Sequence, residues 1–213
     1  MEIKDLLKKD LMIMDLKAST KMEAIDEMVA KLKEKNIISD KAVFKDLILK
    51  REERSSTGLG EGIAMPHAKT SVVNTPSVLF ARSNKGIDYD ALDDEPVYIF
   101  FMIAALEGAH DLHIETLAKL SKMLLNDDFI QGLKTCGSPD EVYALVDKYS
   151  EKPEEAVKEE VKEVQNVNKK KILAVTACPT GIAHTYMAEA ALKEAGEKLG
   201  VDVKVETNGA DGI

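Results

Sequence analysis

The residue in this sequence whose surroundings most clearly favour chemistry is a histidine that follows a proline in a glycine-rich stretch. The stretch, GEGIAMPHAK, runs from residue 60 to 69 and places His67 directly after Pro66. Proline restricts the backbone around it and glycine lets the chain approach other groups closely, so such a loop can present a side chain in a defined geometry. A neutral imidazole is a nucleophile near neutral pH. The pattern indicates a nucleophilic histidine or, alternatively, a hydrogen-bonded structural one.

Two arginines upstream of this loop add a possible anion site. Arg51 and Arg54 lie at the charged end of a predicted helix, just before the small-residue loop SSTGLGEG. Phosphoryl transfer depends mostly on positioning and on cations or N–H donors that hold the transferring group. Arginine beside His67 therefore favours phosphoryl chemistry over a purely structural role.

A cysteine begins the second candidate site, the loop CPTGIAHT from Cys178. The loop lies between a predicted strand and a predicted helix, so the backbone N–H groups around Thr180 and Gly181 and the helix dipole can lower the thiol pKa and hold an oxyanion. The cysteine can be an inert core residue, a phosphatase nucleophile or a phosphorylated carrier. A Cys-x5-Arg phosphatase would have arginine where this chain has His184, which disfavours hydrolysis.

A pair of histidines offers a metal site as a further alternative. His110 and His113 are three residues apart on a predicted helix and so share a face, which suits zinc. No cysteine or acidic residue stands at a convincing spacing to complete the ligand set, so the zinc signal is weak.

Alternating helix and strand signals predict a mixed α/β domain over residues 1–150. Thr20 and Glu23 form a capping box that starts the first helix. Helices are predicted at about 20–35, after Ser39, at about 110–125 and at about 139–149, and strands at 11–16, 63–65, 78–82 and 97–104.

The composition changes at Glu151. Residues 151–169 are rich in lysine and glutamate and predict a solvated linker. Residues 170–213 follow the order strand, loop, helix, strand, with KILAVTA typical of a buried strand, and predict a parallel βαβ unit.

Charge and composition exclude several classes of protein. The chain has 29 basic and 38 acidic residues, a formal charge of −9, which is unfavourable for nucleic-acid binding. The longest apolar run, from Val97 to Leu106, is about half of the ~20 residues needed to cross a bilayer, so we expect no membrane span. Two cysteines are too few for a disulfide framework, and we expect a cytoplasmic protein with free thiols.

The first region resembles a known family. Arg51-Glu52, then STGLG at 56–60 and GIAMPH at 62–67, are similar to the fructose/mannitol-type enzyme IIA domain of the bacterial phosphoenolpyruvate-dependent sugar phosphotransferase system. The resemblance covers about residues 1–150 and implies a mixed sheet flanked by helices. It implies that His67 accepts a phosphoryl group from the histidine-containing phosphocarrier protein HPr, that Arg51 helps to bind this group, and that His113 lies beside His67 as a hydrogen-bond partner.

The second region resembles a fructose-specific enzyme IIB domain, from Lys169 to the end of the chain. CPTGIAHTYMA is similar to the phosphorylation loop of that domain, and VETNG at 205–209 to its second strand and turn. The resemblance implies that Cys178 takes phosphate from the IIA histidine, with Thr180 and Gly181 supporting the phosphoryl group. At Ile213 the chain has covered only the opening part of a domain of roughly 100 residues, and we expect an incomplete IIB unit.

Together these resemblances imply a phosphoryl carrier that serves uptake and phosphorylation of a fructose-like sugar. The implied partners are HPr and the IIB and IIC components, with membrane contact only through IIC and with no metal or organic cofactor. A regulatory IIA-like protein of the nitrogen-phosphotransferase type is the alternative, and the attached start of a IIB domain favours transport.

Overall fold

The apolar run that begins at Val97 forms the central strand of a mixed five-stranded sheet in a computed structural model. The model describes residues 3–108, 110–150, 171–177 and 182–208. The strands of this sheet are β1 (Gly58–Gly60), β2 (Ile63–Ala64), β3 (His67–Thr70), β4 (Ser77–Ile87) and β5 (Val97–Leu106). β5 pairs in parallel with β2 and then with β3 along one edge, and antiparallel with β4 along the other, while β1 pairs antiparallel with β2. This sheet confirms the predicted mixed α/β class.

Helices cover both faces of the sheet. They are α1 (Ile3–Leu6), α2 (Lys21–Glu34), α3 (Lys41–Arg54), α4 (His110–Met123), α5 (Asp127–Thr135) and α6 (Pro139–Ser150). The predicted capping box at Thr20 is present, and Asp40 caps α3 by accepting from the backbone N–H groups of Ala42 and Val43. Among the described residues, no helix has the length and apolar character to span a membrane.

Alternation along β4 and β5 divides the core into two layers. Phe100 and Met102 of β5 pack with α2 and α3, whereas Phe101 and Ile103 point to the opposite face, against α1, α4, α5 and α6. Because both faces are covered, β5 is almost continuously apolar, and so is β4 over residues 78–81. The buried central strand holds β2 and β3 in place, and β3 begins at His67.

The predicted strand at 11–16 is wrong. The chain instead forms a 3-10 turn at Lys9–Leu11. Within residues 11–16, Ile13 makes an isolated bridge to β4 through main-chain hydrogen bonds with Phe80 and Arg82, and Leu16 adds one N–H bond to the carbonyl of Arg82. A bend at residues 14–15 interrupts the pairing, so the apolar alternation does not continue as a strand.

Sequence reasoning also missed α5. Asn126 caps this helix, with its side chain accepting from the N–H of Phe129 at 3.0 Å, and two aspartates occupy the first turn. The signal was available, because Phe129, Ile130 and Leu133 have the spacing of a buried helical face.

A smaller unit follows at the C-terminal side. β6 (Lys171–Ala177) and β7 (Asp202–Asn208) pair in parallel and are connected through α7 (Ile182–Lys198), as predicted. Gly196 allows a close crossing, since a Cβ there would lie 2.3 Å from Cγ2 of Val203. α7 also contacts α4. The expectation of a buried β6 is wrong: Leu173 is 80% and Val175 is 66% exposed, because the single helix of this unit covers only one face.

Candidate active site

His67 lies where the sheet ladder is interrupted. Residues 64 and 67 pair with residues 100 and 103 of β5, so the chain keeps its register while Met65 and Pro66 pass between β2 and β3. Pro66 has no N–H to donate, but its carbonyl accepts from the N–H of Ile103 at 2.9 Å. The N–H of Met65 instead donates to the carbonyl of Thr57 at 2.9 Å. The Met65 peptide is therefore held by the segment before β1, next to the β1–β2 pairing, and not by β5.

The hydrogen bonds of the His67 ring define its tautomer. Nδ1 lies 2.9 Å from the carbonyl oxygen of Met65, which can only accept, so Nδ1 carries the proton. The Nε atom of Arg51 donates to Nε2 of His67 at 3.3 Å. Nε2 therefore holds the lone pair, and the structure brings together the histidine and the arginine that the sequence singled out.

Arg51 reaches this position from the last turn of α3. A second donor of its guanidinium, Nη1, bonds to the carbonyl of Ser55 at 2.9 Å. Arg54, which is three residues further along, is exposed. Of these two arginines, Arg51 therefore contacts the candidate nucleophile and Arg54 does not, and the role of Arg51 in transfer stays a prediction.

Burial makes His67 a neutral base. It lowers the pKa of His67 from 6.5 to about 4; the Met65 carbonyl opposes this shift and the charge of Arg51 adds to it. The residue is nevertheless partly exposed to solvent. A neutral, accessible imidazole with a defined lone pair is suited to nucleophilic attack.

This depressed pKa predicts a pH-dependent stability. The folded state keeps His67 neutral down to about pH 4, whereas the unfolded chain binds the proton near pH 6.5. The contribution of neutral His67 to the free energy of unfolding is therefore complete above pH 6.5 and is lost as the pH falls toward 4. Between pH 7 and pH 5 we expect the wild type to lose about 1 to 2 kcal/mol more unfolding free energy than His67→Gln, measured by urea denaturation. Equal losses of unfolding free energy in both proteins, or an NMR titration of folded His67 near pH 6.5, would contradict this prediction.

The other predicted site residues are less completely described. His113 lies in α4, as does His110, but the side chains of both fall outside the described residues, and so does the zinc alternative that rested on them. Cys178, Thr180 and Gly181 also lie outside the described residues, between β6 and α7.

Sequence reasoning missed a buried acidic residue next to Arg51. Glu52 continues the inward face of α3, four residues after Ile48 and eight after Phe44, and only 5% of its side chain is exposed. That spacing was visible in the sequence as the extension of an apolar stripe by a charged residue. A carboxylate at such a position requires several hydrogen-bond donors.

The fold defines the class of protein. A solved structure of the nitrogen regulatory protein IIA-Ntr from Neisseria meningitidis aligns with a TM-score of 0.64 and 28% identity, over 68% of this chain and 98% of that chain. A complex of enzyme IIAMTL and phosphorylated enzyme IIBMTL from Escherichia coli aligns with a TM-score of 0.59 and 26% identity, over 67% of this chain and 99% of that chain. The mixed sheet with its flanking helices is therefore the fold of a phosphotransferase-system IIA domain.

Sequence comparison places the chain within a family. Residues 5–149 match the family described as phosphoenolpyruvate-dependent sugar phosphotransferase system, EIIA 2, and the chain belongs to this family. Residues 173–213 match the family described as PTS system, lactose/cellobiose specific IIB subunit.

Two curated relatives show the range of related proteins. The PTS system fructose-specific EIIABC component of Bacillus subtilis is 45% identical over 213 residues, which is 100% of this chain and 34% of the relative. The nitrogen regulatory protein of Bradyrhizobium diazoefficiens is 32% identical over 146 residues, which is 68% of this chain and 95% of the relative. The chain thus spans about a third of the length of the EIIABC relative.

Proposed function

We propose that this protein is a phosphoryl carrier of a fructose-type sugar phosphotransferase system, with Nε2 of His67 as the acceptor of phosphate from HPr. The observation that carries the proposal is the lone pair on Nε2, which lies 3.3 Å from a donor of Arg51. A site that combines a partly exposed, neutral nucleophile with a fixed cation meets the two needs of phosphoryl transfer, positioning and charge stabilisation.

The chemistry of acceptance needs no proton from His67. As the N–P bond in phosphorylated HPr breaks, the lone pair of Nε2 forms a new N–P bond, and the departing imidazole of HPr keeps the electron pair of its broken bond. The proton on Nδ1 stays in its bond to Met65. Arg51 then donates to a phosphoryl oxygen in place of the Nε2 lone pair. We assign His113 to the same phosphoryl group as a hydrogen-bond partner.

We assign the onward step to Cys178. Its thiolate attacks the phosphorus and the N–P bond breaks, which leaves neutral His67 ready for another cycle. The contact between α4 and α7 supports this route, because α4 carries His113 and α7 follows the loop with Cys178, Thr180 and Gly181. In this scheme residues 1–150 form the IIA domain, 151–169 the linker and 170–213 the start of IIB, and phosphate continues to the sugar through IIB and the membrane component IIC, at the cytoplasmic face.

A regulatory function is the second candidate. It is favoured by the likeness to nitrogen regulatory proteins, which extends over the whole IIA region in both sequence and structure. The match of residues 173–213 to a IIB family favours transport, because a regulator that signals through its IIA phosphorylation state has no need of a second carrier site.

Incubation with phosphoenolpyruvate, enzyme I and HPr tests the proposal. We expect one acid-labile phosphoryl group on the IIA region, with a phosphorus NMR signal of a phosphohistidine substituted at Nε2. The phosphorylated protein should then pass its phosphate to a complete fructose-type IIB domain. Reactions without HPr serve as the control. Failure to accept phosphate from HPr, or acceptance at Nδ1, would contradict the proposal, and acceptance without any transfer to IIB would favour the regulatory function.

A further inference from the structure

The buried carboxylate of Glu52 is surrounded by hydrogen-bond donors. Its Oε2 accepts from the backbone N–H of Thr57 at 3.0 Å and lies 3.1 Å from Nζ of Lys21. Its Oε1 accepts from the hydroxyl of Tyr89 at 3.2 Å and from the hydroxyl of Thr57. Four donors use the lone pairs of both oxygens, which a carboxylate can supply and a neutral side chain of this size cannot.

The same carboxylate holds the loop that touches both partners of the candidate active site. Thr57 accepts from the N–H of Met65 through its carbonyl, and the carbonyl of Met65 accepts a hydrogen bond from Nδ1–H of His67. Two residues earlier in the loop, the carbonyl of Ser55 accepts from Nη1 of Arg51. Glu52 thus reaches His67 through hydrogen bonds at Thr57 and Met65, and reaches the acceptor of Arg51 through the two residues of backbone between Thr57 and Ser55.

The loop is held against the rest of the domain as well. The hydroxyl of Ser56 donates to the carbonyl of Tyr89 at 3.0 Å and accepts from the N–H of Gly58 at 3.1 Å. Gly58 lies so close to the neighbouring segment that a Cβ there would be 2.8 Å from Cα of Ala91. The backbone of the loop is fixed at both ends, and Glu52 supplies the bonds at Thr57 between them.

We propose that Glu52 is a positioning residue. Through Thr57 and Met65 it sets the tautomer of His67 with the lone pair on Nε2, and it keeps in place the loop carbonyl of Ser55, to which Arg51 donates. Its effect on the rate of phosphoryl transfer rests on the proposed function, whereas its effect on the histidine tautomer does not. Loss of the Thr57 bonds lets the Met65 carbonyl move, and Nδ1 of His67 then loses its preferred acceptor. Ser55 lies in the same loop, so the donor of Arg51 to Nε2 shifts as well, and proton and lone pair can then exchange between the two ring nitrogens.

Nitrogen NMR of the His67 ring in the unphosphorylated protein tests the positioning directly. We expect a single Nδ1–H tautomer in the wild type and a mixture of tautomers in Glu52→Gln and in Thr57→Val. Thr57→Ser keeps the hydroxyl and should restore the wild-type signal. Tyr89→Phe is the matched control, because it removes a donor to the same carboxylate but keeps both bonds from Thr57 to Glu52, and it should lower the melting temperature without changing the tautomer.

The rate of phosphoryl acceptance from HPr is the second measurement. A displacement of about 1 Å at a reacting group can cost about 100-fold in rate, and we expect a loss of roughly 10- to 100-fold in Glu52→Gln and Thr57→Val. Thr57→Ser and Tyr89→Phe should stay near the wild-type rate. If Glu52→Gln does not fold, the pair Thr57→Val and Thr57→Ser decides the question.

The outcomes separate this inference from the proposed function. An unchanged tautomer and rate in Thr57→Val would overturn the inference and leave Glu52 as a residue that only stabilises the fold. A shifted tautomer in a protein whose wild type accepts no phosphate from HPr would support the positioning and overturn the proposed function.

Discussion

Replacing His67 with glutamine should abolish phosphorylation of the IIA region by phosphoenolpyruvate, enzyme I and HPr. Glutamine is similar in size to histidine, but its amide nitrogen has no available lone pair and cannot form the N–P bond. The expected loss is the whole signal above background, because the carrier takes part covalently and no neighbouring group replaces it. Labelling with radioactive phosphate, followed by acid treatment to confirm the N–P linkage, measures the effect.

A second histidine provides the control for this variant. His110→Gln changes the same residue type at a position to which we assign no part in transfer, and it should label like the wild type. If His67→Gln still accepts phosphate on the IIA region while His113→Gln does not, the roles assigned to His67 and His113 are reversed.

Arg51→Gln should slow acceptance of phosphate by about 100- to 1,000-fold, the range observed when one donor to a developing charge is removed. In the structure this arginine already donates to Nε2 of His67, the atom to which we assign the phosphoryl group, at 3.3 Å, so its charge is in place before the proposed reaction. Lysine offers a single point charge without the planar group that donates to both His67 and Ser55, and Arg51→Lys should recover only part of the rate. Rapid-quench measurement of the first turnover gives these rates.

Arg54→Gln is the matched control for the arginine. It removes the same charge from the same turn of α3, but its side chain is exposed, and we expect a rate within a few-fold of the wild type. A wild-type rate in Arg51→Gln would exclude this residue from the mechanism. An equal loss in both variants would instead indicate a general electrostatic attraction for HPr, and this loss should then decrease at higher salt concentration.

The depressed pKa of His67 favours the same proposed reaction, the acceptance of a phosphoryl group. A histidine with its ordinary pKa would be partly protonated in mildly acidic conditions and would lose its lone pair. Burial and the charge of Arg51 keep the ring neutral instead, and the bond to Met65 directs the remaining proton to Nδ1. The same shift in pKa lowers the free energy of unfolding below pH 6.5, because the unfolded chain then binds a proton that the folded protein does not.

Local patterns in the sequence were sufficient for most of the elements. The capping box at Thr20, the apolar run from Val97 and the strand-helix-strand order after residue 170 each reflect interactions between near neighbours or a simple burial period, and all three are confirmed. The strand at 11–16 failed because pairing requires a partner along its whole length, and the bend at 14–15 leaves only the bridge of Ile13 and one hydrogen bond from Leu16 to β4.

The sequence by itself determined the mixed α/β class, the family resemblance and the choice of His67 and Arg51, since residue types and spacing carry that information. Only the tertiary structure decided which ring nitrogen of His67 holds the lone pair, that burial lowers its pKa to about 4, and that Glu52 is tied to the loop before it. These features depend on groups far apart in the chain, such as Tyr89 and Lys21 around one carboxylate. Hydrogen-bond direction and desolvation are properties of the assembled surroundings of a group, and no local pattern of residues encodes them.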